Sequence, residues 1–288
     1  MSYEELWKPL TKLYDAREAK AIARLVLEER FGLTMADVLC GKTGDDAVLR
    51  HIQQRLLQGE PVQYVLGVAE FGGRQFRVAP GVLIPRPETL ELCQWVQEER
   101  KEERLRVGER SLGMRGERRG ITILDIGTGS GCIACTLAAE LPEAQVTAWD
   151  ISEAALAIAQ ENAQRLGVQV KFEKQDALHP SPFTNPQWNI IVSNPPYVCE
   201  KERAAMERHV LDYEPSLALF VPDDDPLLFY RAIADYARQS LTAGGSLFFE
   251  INPLYAEQLQ SLLSSMSYHH IEVRDDQYGK PRMIKAQR

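Results

Sequence analysis

The spacing of apolar residues divides the chain into a helical first part and a strand–helix alternation that follows it. Between residues 16 and 30, apolar side chains recur every three or four positions among Glu, Lys and Arg, and Gly32 ends the pattern. Two further segments, at residues 34–39 and 47–57, have the same helical spacing. These patterns predict a small helical bundle at the start of the chain.

A hairpin is predicted to follow the bundle. Residues 69–78 alternate between apolar and polar side chains, with two glycines at the bend. Pro85 then keeps the chain extended, and Pro87 is typical of the first position of a helix. We therefore predict an N-terminal helical domain with a hairpin linker at residues 1–80, and a second domain at residues 81–288.

One stretch of the second domain has an unusual composition. Residues 98–120 are mostly Glu, Arg, Lys and Gly, with few apolar side chains. Such a stretch buries too little apolar surface to become ordered by packing. The sequence therefore predicts a solvated, mobile insertion at this point of the second domain.

From residue 121 onward, short apolar runs alternate with longer amphipathic segments. The runs are rich in β-branched and aromatic residues, as in buried strands, and they lie at residues 121–126, 146–150, 168–172, 188–193 and 246–251. A last strand pair is predicted near residues 271–274 and 282–285. This alternation predicts an α/β fold with a doubly wound, Rossmann-like parallel sheet, in which ligands bind beyond the carboxyl ends of the strands.

A glycine-rich turn follows the first of these strands, and it consists of Gly127, Thr128, Gly129, Ser130 and Gly131. Glycines allow backbone to approach a ligand closely, and the helix that follows favours polar or anionic groups at its N-terminus. Asp150 ends the next strand about 20 residues later, where an acid in nucleotide-binding folds accepts hydrogen bonds from ribose hydroxyls. The glycine spacing lacks the longer gap of the dinucleotide motif, so it indicates an adenosine-type ligand without a pyrophosphate.

The segment Asn194-Pro195-Pro196-Tyr197 ends another apolar strand. Prolines have a fixed φ and no N–H, so carbonyl groups around them remain free to accept other hydrogen bonds. Asn194 adds a side-chain amide and Tyr197 an aromatic face, a combination that suits a planar amino or amide group. Asp176 and Ala177 follow a third strand, so all these residues are predicted to meet in one crevice.

Charge and cysteine content narrow the class of protein. The chain of 288 residues is 44% hydrophobic and 26% charged, with a net charge of −8, which argues against a broad grip on nucleic acid. Five scattered cysteines do not form a disulfide framework, and Cys132 and Cys135 have no second pair or nearby His for a metal site. We expect both to be buried hydrophobes. With no signal-peptide pattern and no long apolar run, we predict a cytoplasmic protein without a membrane anchor.

Taken together, the motifs resemble a known set. Residues 125–131 with Asp150 are similar to motif I and the following acid of S-adenosylmethionine-dependent methyltransferases, and residues 194–197 to the Asn-Pro-Pro-Tyr of enzymes that methylate planar nitrogens on adenine or glutamine. Residues 83–89 and 213–219 resemble the peptide chain release factor glutamine methyltransferases, the PrmC/HemK family. This resemblance covers nearly the whole chain.

The resemblance implies transfer of a methyl group from S-adenosyl-L-methionine to the glutamine side chain in the Gly-Gly-Gln motif of class I release factors. It implies that Asn194 and the Pro195 carbonyl accept the amide N–H bonds, and that Pro196 and Tyr197 shape the glutamine pocket. The implied cofactor contacts are the backbone of residues 127–131, Asp150 at the ribose, Asp176 and Ala177 by the adenine, and Asn194 beside the methyl group. A monomer that binds no metal and no nucleic acid is expected.

Three other functions fit part of the sequence. A ribosomal-protein glutamine methyltransferase shares the Asn-Pro-Pro-Tyr segment but has a different N-terminal domain. A DNA adenine methyltransferase needs a basic recognition region, and none is visible in this acidic chain. A non-catalytic cofactor-binding module for translation factors would keep its role after Asn194→Ala.

Overall fold

The structure is a computed structural model that describes residues 1–110, 120–180 and 188–288. Its α-helices are Tyr3–Trp7 (α1), Ala16–Phe31 (α2), Met35–Leu39 (α3), Asp46–Leu57 (α4), Val62–Leu66 (α5), Pro87–Arg110 (α6), Cys132–Glu140 (α7), Glu153–Leu166 (α8), Arg208–Tyr213 (α9), Leu228–Ser240 (α10) and Ala256–Ser265 (α11). Its strands are Val68–Phe71 (β1), Arg74–Arg77 (β2), Thr122–Ile126 (β3), Gln145–Asp150 (β4), Val170–Lys174 (β5), Trp188–Ser193 (β6), Val198–Cys199 (β7), Phe220–Val221 (β8), Leu241–Glu250 (β9), His269–Asp275 (β10) and Pro281–Gln287 (β11).

The first 66 residues form the helical bundle that the apolar spacing predicts. Helix α2 begins where the Asp15 carboxylate accepts the N–H groups of Arg17 and Glu18, and it ends at Gly32 in the left-handed conformation. Its apolar stripe packs against that of α4 in one cluster, whose buried members include Ala19, Ile22, Ala23, Val26, Leu27, Leu49, Ile52 and Leu56. The periodicity that predicts these helices is therefore also what builds their core.

The hairpin of β1 and β2 joins the bundle to the rest of the chain. Phe71 and Phe76 meet edge to face, with ring centroids 5.8 Å apart. Both rings lie in the hydrophobic core that also contains Leu92 and Trp95 of α6. The hairpin thus packs with the second part of the chain, while the domain boundary near residue 80 stays a prediction.

A seven-stranded sheet with the order β10-β11-β9-β6-β3-β4-β5 forms the centre of the second part. Strands β9, β6, β3, β4 and β5 run parallel, as predicted, whereas β11 is antiparallel to both of its neighbours. The sheet is therefore mixed, with its antiparallel pairing at this edge. The reason is the short turn between β10 and β11, since a parallel connection needs a longer crossover.

Helices cover both faces of this sheet. One apolar cluster joins the strands to α6, α7 and α8, and a second joins them to α10 and α11. Strands covered on both faces are apolar throughout, and the central β6 accordingly buries Ile190, Ile191 and Val192. The predicted doubly wound, Rossmann-like class is confirmed.

The mobility of the insertion at residues 98–120 stays a prediction, but its first part is helical. Residues 98–110 continue helix α6, and residues 111–119 lie outside the described residues. Glu and Arg favour helix, and ion pairs attach this segment to the C-terminal strands. Glu98 lies 2.6 Å from Arg274, and Glu99 lies 2.9 Å from Lys285.

The cysteines of the C-x-x-C pair are buried, as predicted. Cys132 and Cys135 are free and lie on α7 in the core, where burial raises the pKa of each thiol to about 12. A thiol with so high a pKa is a poor nucleophile and a poor metal ligand. They act as small packing residues.

Candidate active site

A cavity of about 400 Å³ lies at the carboxyl edge of β3, β4, β5 and β6. Its walls include most of the residues singled out from the sequence, namely Gly127, Thr128, Gly129, Ser130, Asp150, Asp176, Ala177, Asn194, Pro195 and Pro196. The predicted convergence of these segments on one crevice is thus present in the fold. Gly131 and Tyr197 are not among the lining residues.

The glycine-rich turn presents its backbone to the cavity. The N–H groups of Gly127 and Thr128 both donate to the carbonyl oxygen of Trp149, at 2.9 Å, which fixes the turn against β4. Gly127 and Gly129 have positive φ angles of 76° and 54°. A Cβ atom at either position would have no neighbour within 4 Å, so the absence of side chains leaves this part of the cavity open.

Asp150 lies beside this turn at the end of β4. Its Oδ2 accepts a hydrogen bond of 2.9 Å from the Gly129 N–H, and its Oδ1 accepts one of 2.8 Å from the Ser152 N–H. Burial raises the pKa of this carboxyl group. Each oxygen has a further lone pair, so the carboxylate is able to accept two hydroxyl groups of a ligand that enters the cavity.

Asp125 lies beneath the turn. It is the first residue of the glycine-rich motif, and the sequence alone did not predict a role for it. Its Oδ2 accepts hydrogen bonds from the Thr128 hydroxyl at 2.6 Å and from the Ala134 N–H at 3.2 Å. Its Oδ1 is buried and has no hydrogen-bond partner in the described ranges. Burial raises the pKa of Asp125 to about 7.

Asn162 of α8 is a further residue that sequence reasoning missed. Its Oδ1 accepts the N–H of Arg77 at 2.6 Å, and its Nδ2 donates to the carbonyl oxygens of Arg77 and Ser130, each at 2.9 Å. The side chain is fully buried. It therefore connects hairpin strand β2 to the glycine-rich turn. An Asn on an amphipathic helix gives no sequence signal of such a role.

The Asn194–Tyr197 segment is held from behind by residues that the sequence did not indicate. Nδ2 of Asn194 donates to the Thr89 hydroxyl at 3.1 Å, and the Tyr197 hydroxyl donates to Glu250 at 2.9 Å. Asn194 itself is half-buried and lines the cavity. The Tyr197 ring packs against the core that contains α10, so it supports the segment.

Two loops that line the cavity are joined by a partly buried ion pair. One contains Ile84 and Arg86, and the other follows Glu214, whose side chain is fully buried. The Glu214 carboxylate accepts the Ile84 N–H at 3.0 Å and pairs with the Arg86 guanidinium at 2.5 Å. Two stretches of sequence 128 residues apart are joined by this ion pair.

Apolar side chains form the part of the cavity near Asp176 and Ala177. Asp176 turns the chain after β5 by accepting the Leu178 N–H at 2.9 Å. Phe229 and Ile233 of α10 also line the cavity. The cavity therefore combines apolar walls with the Asp150 carboxylate, which suits a ligand that has both a flat apolar group and a polar one.

The fold and this site define a Rossmann-like methyltransferase. The methyltransferase small domain family matches residues 112–212. A methyltransferase from Pyrococcus furiosus has the same fold, with a TM-score of 0.51 and 15% identity over 82% of this chain and 98% of that one. The chain belongs to the release factor glutamine methyltransferase family. It is 45% identical to the "Release factor glutamine methyltransferase" of Bacteroides thetaiotaomicron over 97% of this chain and 96% of the relative. The protein of the same name from Flavobacterium psychrophilum is 39% identical, over 96% and 94%.

Membership of this family confirms several predictions made from the motifs. The predicted family, the α/β methyltransferase fold and the enzyme class are confirmed. Dependence on S-adenosylmethionine is confirmed at the level of the family. The individual roles of the site residues stay predictions. Among the described residues, none of the helices has the length and apolar character needed to cross a bilayer.

Proposed function

We propose that this protein transfers a methyl group from S-adenosyl-L-methionine to the side-chain amide nitrogen of the glutamine in the Gly-Gly-Gln motif of class I peptide chain release factors. The observation that carries the proposal is the Asn194 amide, whose NH2 group is bound by Thr89 while the residue lines the cavity. Within residues 1–110, 120–180 and 188–288 no hydrogen bond to its oxygen is found, so that oxygen can accept a substrate N–H. Family membership supplies the release factor as the partner.

Methyl transfer to an amide nitrogen depends more on positioning that nitrogen than on a strong base. An amide nitrogen is a poor nucleophile because its lone pair is delocalised into the carbonyl group. In our proposal the Asn194 Oδ1 and the Pro195 backbone carbonyl each accept one N–H of the substrate amide. Both bonds fix the nitrogen and increase its electron density at the reacting centre. A C–N bond then forms as the S–CH3 bond breaks, and one amide proton leaves to solvent.

The cavity residues fit S-adenosylmethionine, which supplies the electrophilic methyl group. Asp150 would accept hydrogen bonds from the ribose hydroxyls through the lone pairs that Gly129 and Ser152 leave free. The backbone of residues 127–130, which lines the cavity, would hold the methionine part. Asp176 and Ala177 would lie beside the adenine, where the walls of the cavity are apolar.

We also propose that the protein acts as a cytoplasmic monomer without direct contact to nucleic acid. The net charge of −8 supports the lack of nucleic-acid contact, because nucleic-acid binding at a broad surface needs a basic face. Size-exclusion chromatography with light scattering tests the monomer.

The decisive experiment measures transfer of radiolabelled methyl from S-adenosylmethionine to a purified class I release factor and to its Gln→Ala form in the Gly-Gly-Gln motif. Label on the first and none on the second is expected. No label on either, with cofactor binding still detectable by calorimetry, would exclude the release factor as substrate. Ribosomal protein and DNA are assayed in parallel. Label on ribosomal protein would indicate a ribosomal-protein glutamine methyltransferase, and label on DNA would indicate a DNA adenine methyltransferase.

A further inference from the structure

A buried carboxylate lies behind the Asn194–Tyr197 segment, at the carboxyl end of β9. Glu250 is only 1% exposed. Its Oε2 accepts a hydrogen bond of 2.6 Å from the Thr89 hydroxyl, and its Oε1 accepts one of 2.9 Å from the Tyr197 hydroxyl. Glu250 therefore contacts both helix α6 and the last residue of the segment. Sequence reasoning assigned no role to it.

Thr89 links this carboxylate to the Asn194 amide. The Thr89 side chain is buried, and its oxygen accepts a hydrogen bond of 3.1 Å from Nδ2 of Asn194. A hydroxyl group has one proton to donate. Because that proton goes to Glu250, the Thr89 oxygen is able only to accept from Asn194. The NH2 group of Asn194 must then face Thr89, and its oxygen must face the other way.

The direction of this chain of hydrogen bonds requires Glu250 to be an acceptor. Burial raises the pKa of Glu250, while the hydroxyl groups of Thr89 and Tyr197 and the nearby Arg282 lower it. In the structure the Thr89 and Tyr197 hydroxyls each donate to one oxygen of Glu250, so Thr89 has no second proton for Asn194. A buried network in which every member has its partner holds its side chains in one arrangement.

We propose that Glu250 and Thr89 are positioning residues, which hold the Asn194 side chain with its oxygen towards the substrate amide. The inference rests on the proposed transfer reaction, in which that oxygen accepts a substrate N–H. A flipped Asn194 would present its NH2 group to the substrate NH2 group, two donors that do not bond. The same carboxylate anchors Tyr197, so it fixes both ends of the Asn194–Tyr197 segment.

The test compares Thr89→Val with Thr89→Ser. Valine keeps the shape of threonine and removes the hydroxyl group, whereas serine keeps the hydroxyl group. With a purified release factor as substrate, Thr89→Val is expected to lower kcat by roughly 10- to 100-fold, because a misplaced reacting group costs about that much. Its Kd for S-adenosylmethionine is expected to stay within about twofold, because the proposed ribose and adenine contacts lie on Asp150, Asp176 and Ala177. Its KM for the release factor is expected to change less than kcat, because the flipped amide removes one hydrogen bond from the contact with a whole protein substrate. Thr89→Ser is expected to retain nearly full kcat.

Tyr230→Phe provides a matched control. The Tyr230 hydroxyl is also buried and donates to the backbone oxygen of Glu250 at 3.1 Å, but it takes no part in the chain that reaches Asn194. This variant is expected to unfold at a lower temperature and to keep its kcat. If both variants lose a similar amount of stability and only Thr89→Val loses kcat, the lower kcat is not a general effect of a loosened core.

If Thr89→Val does not fold, Glu250→Gln gives the same test with almost no change of volume. It is expected to lower kcat by about tenfold, because an amide no longer forces both hydroxyls to donate. Absence of transfer by the unmodified protein would reject the proposed function itself. If the unmodified protein is active and the folded variants keep kcat within twofold of it, the inference about Glu250 and Thr89 is overturned. A loss of kcat in Thr89→Ser equal to that in Thr89→Val would overturn it as well.

Discussion

Asp150 and Asp125 lie one on each side of the same glycine-rich turn, yet their surroundings give them different tasks. Asp150 borders the cavity and keeps acceptor capacity for a ligand, as its two backbone donors occupy one position on each oxygen. Asp125 lies under the turn, where Thr128 and Ala134 contact one oxygen only. The first residue is therefore suited to binding and the second to support of the turn.

We expect Asp150→Asn to weaken the binding of S-adenosylmethionine by at least about tenfold. The substitution keeps the size of the side chain but replaces one acceptor oxygen by a donor, and a hydrogen bond to a charged group contributes about 1.5–3 kcal/mol. Isothermal titration calorimetry measures the change. Glu153→Gln is the control, because Glu153 is an exposed acid that pairs with Lys174. An equal Kd for Asp150→Asn and the unmodified protein would contradict the assignment of Asp150 to the ribose.

Asp125 predicts a pH dependence of stability. Its pKa is about 7 in the folded protein, above the ordinary value of 3.8, so between these values the folded state binds more protons than the unfolded state. The contribution of Asp125 to stability is therefore complete below pH 3.8 and is lost as the pH rises to about 7.

Asp125→Asn should remove this dependence, because an amide does not titrate in that range. Relative to the unmodified protein, the variant is expected to gain stability as the pH rises, by up to about 1.4 kcal/mol per pH unit. Urea unfolding at pH 5, 6 and 7 measures the difference between the two proteins. A difference that does not change with pH would show that Asp125 is ionised throughout this range.

At the scale of elements, helices α7 and α8 come into contact at Gly131. A Cβ atom at this position would lie 2.9 Å from the Cβ of Ala159, and the φ angle of Gly131 is +80°. Both the close approach and the left-handed backbone require glycine. The last glycine of the turn therefore sets the packing of two helices, which explains why it does not line the cavity.

Gly131→Ala is expected to destabilise the protein by about 2–4 kcal/mol, the sum of backbone strain and overpacking. Gly167→Ala is the matched control, because Gly167 has a φ angle of +68° but has open space around it. Gly167→Ala should lower the free energy of unfolding by only about 1 kcal/mol. Urea denaturation measures both variants.

Ala159→Gly supplies the room that the added methyl group needs. In the Gly131→Ala background, Ala159→Gly is expected to lower the free energy of unfolding by less than it does alone. The expected interaction energy between the two substitutions is about 1–3 kcal/mol. Strictly additive effects would mean that the two helices adjust without cost, contrary to the contact described here.

The same scale shows what the sequence was able to predict. Strand ends were predictable because apolar runs give the strands and parallel strands present their carboxyl ends at one edge, which brought Asp150 and Asn194 together. Glu250 and Asn162 were not predictable. Glu250 contacts Thr89 across 161 residues, and no local pattern distinguishes an acid buried by such a contact from one on the surface. Composition also did not indicate that residues 98–110 continue a helix, or that Glu98 and Glu99 pair with distant strands.

At the scale of the whole molecule, one wall of the cavity is built by contacts between distant parts of the chain. Glu214 joins the Ile84–Arg86 loop to the segment after α9, and Tyr213 next to it donates to the backbone oxygen of Gln58 in the N-terminal part at 3.0 Å. The helical bundle, the loop and the cavity are thus connected through two neighbouring residues. The position of the bundle relative to the cavity is fixed in part by these bonds.

Glu214→Gln is the corresponding prediction. The variant keeps an acceptor for the Ile84 N–H but loses the charge that faces Arg86. The Arg86 side chain is itself only 33% exposed. We expect a loss of about 2 kcal/mol in the free energy of unfolding, within the range for hydrogen bonds to charged groups. Glu28→Gln breaks an exposed pair with Arg24 on α2 and should cost no more than about 0.5 kcal/mol.

Because Glu214 joins two loops that line the cavity, its substitution should also loosen that wall of the cavity. Bound S-adenosylmethionine is then expected to dissociate several-fold faster from Glu214→Gln, with no change for Glu28→Gln. Stopped-flow displacement of the cofactor measures this rate. A lower stability with an unchanged dissociation rate would separate the two effects, and it would place the exit of the ligand away from the loops that Glu214 connects.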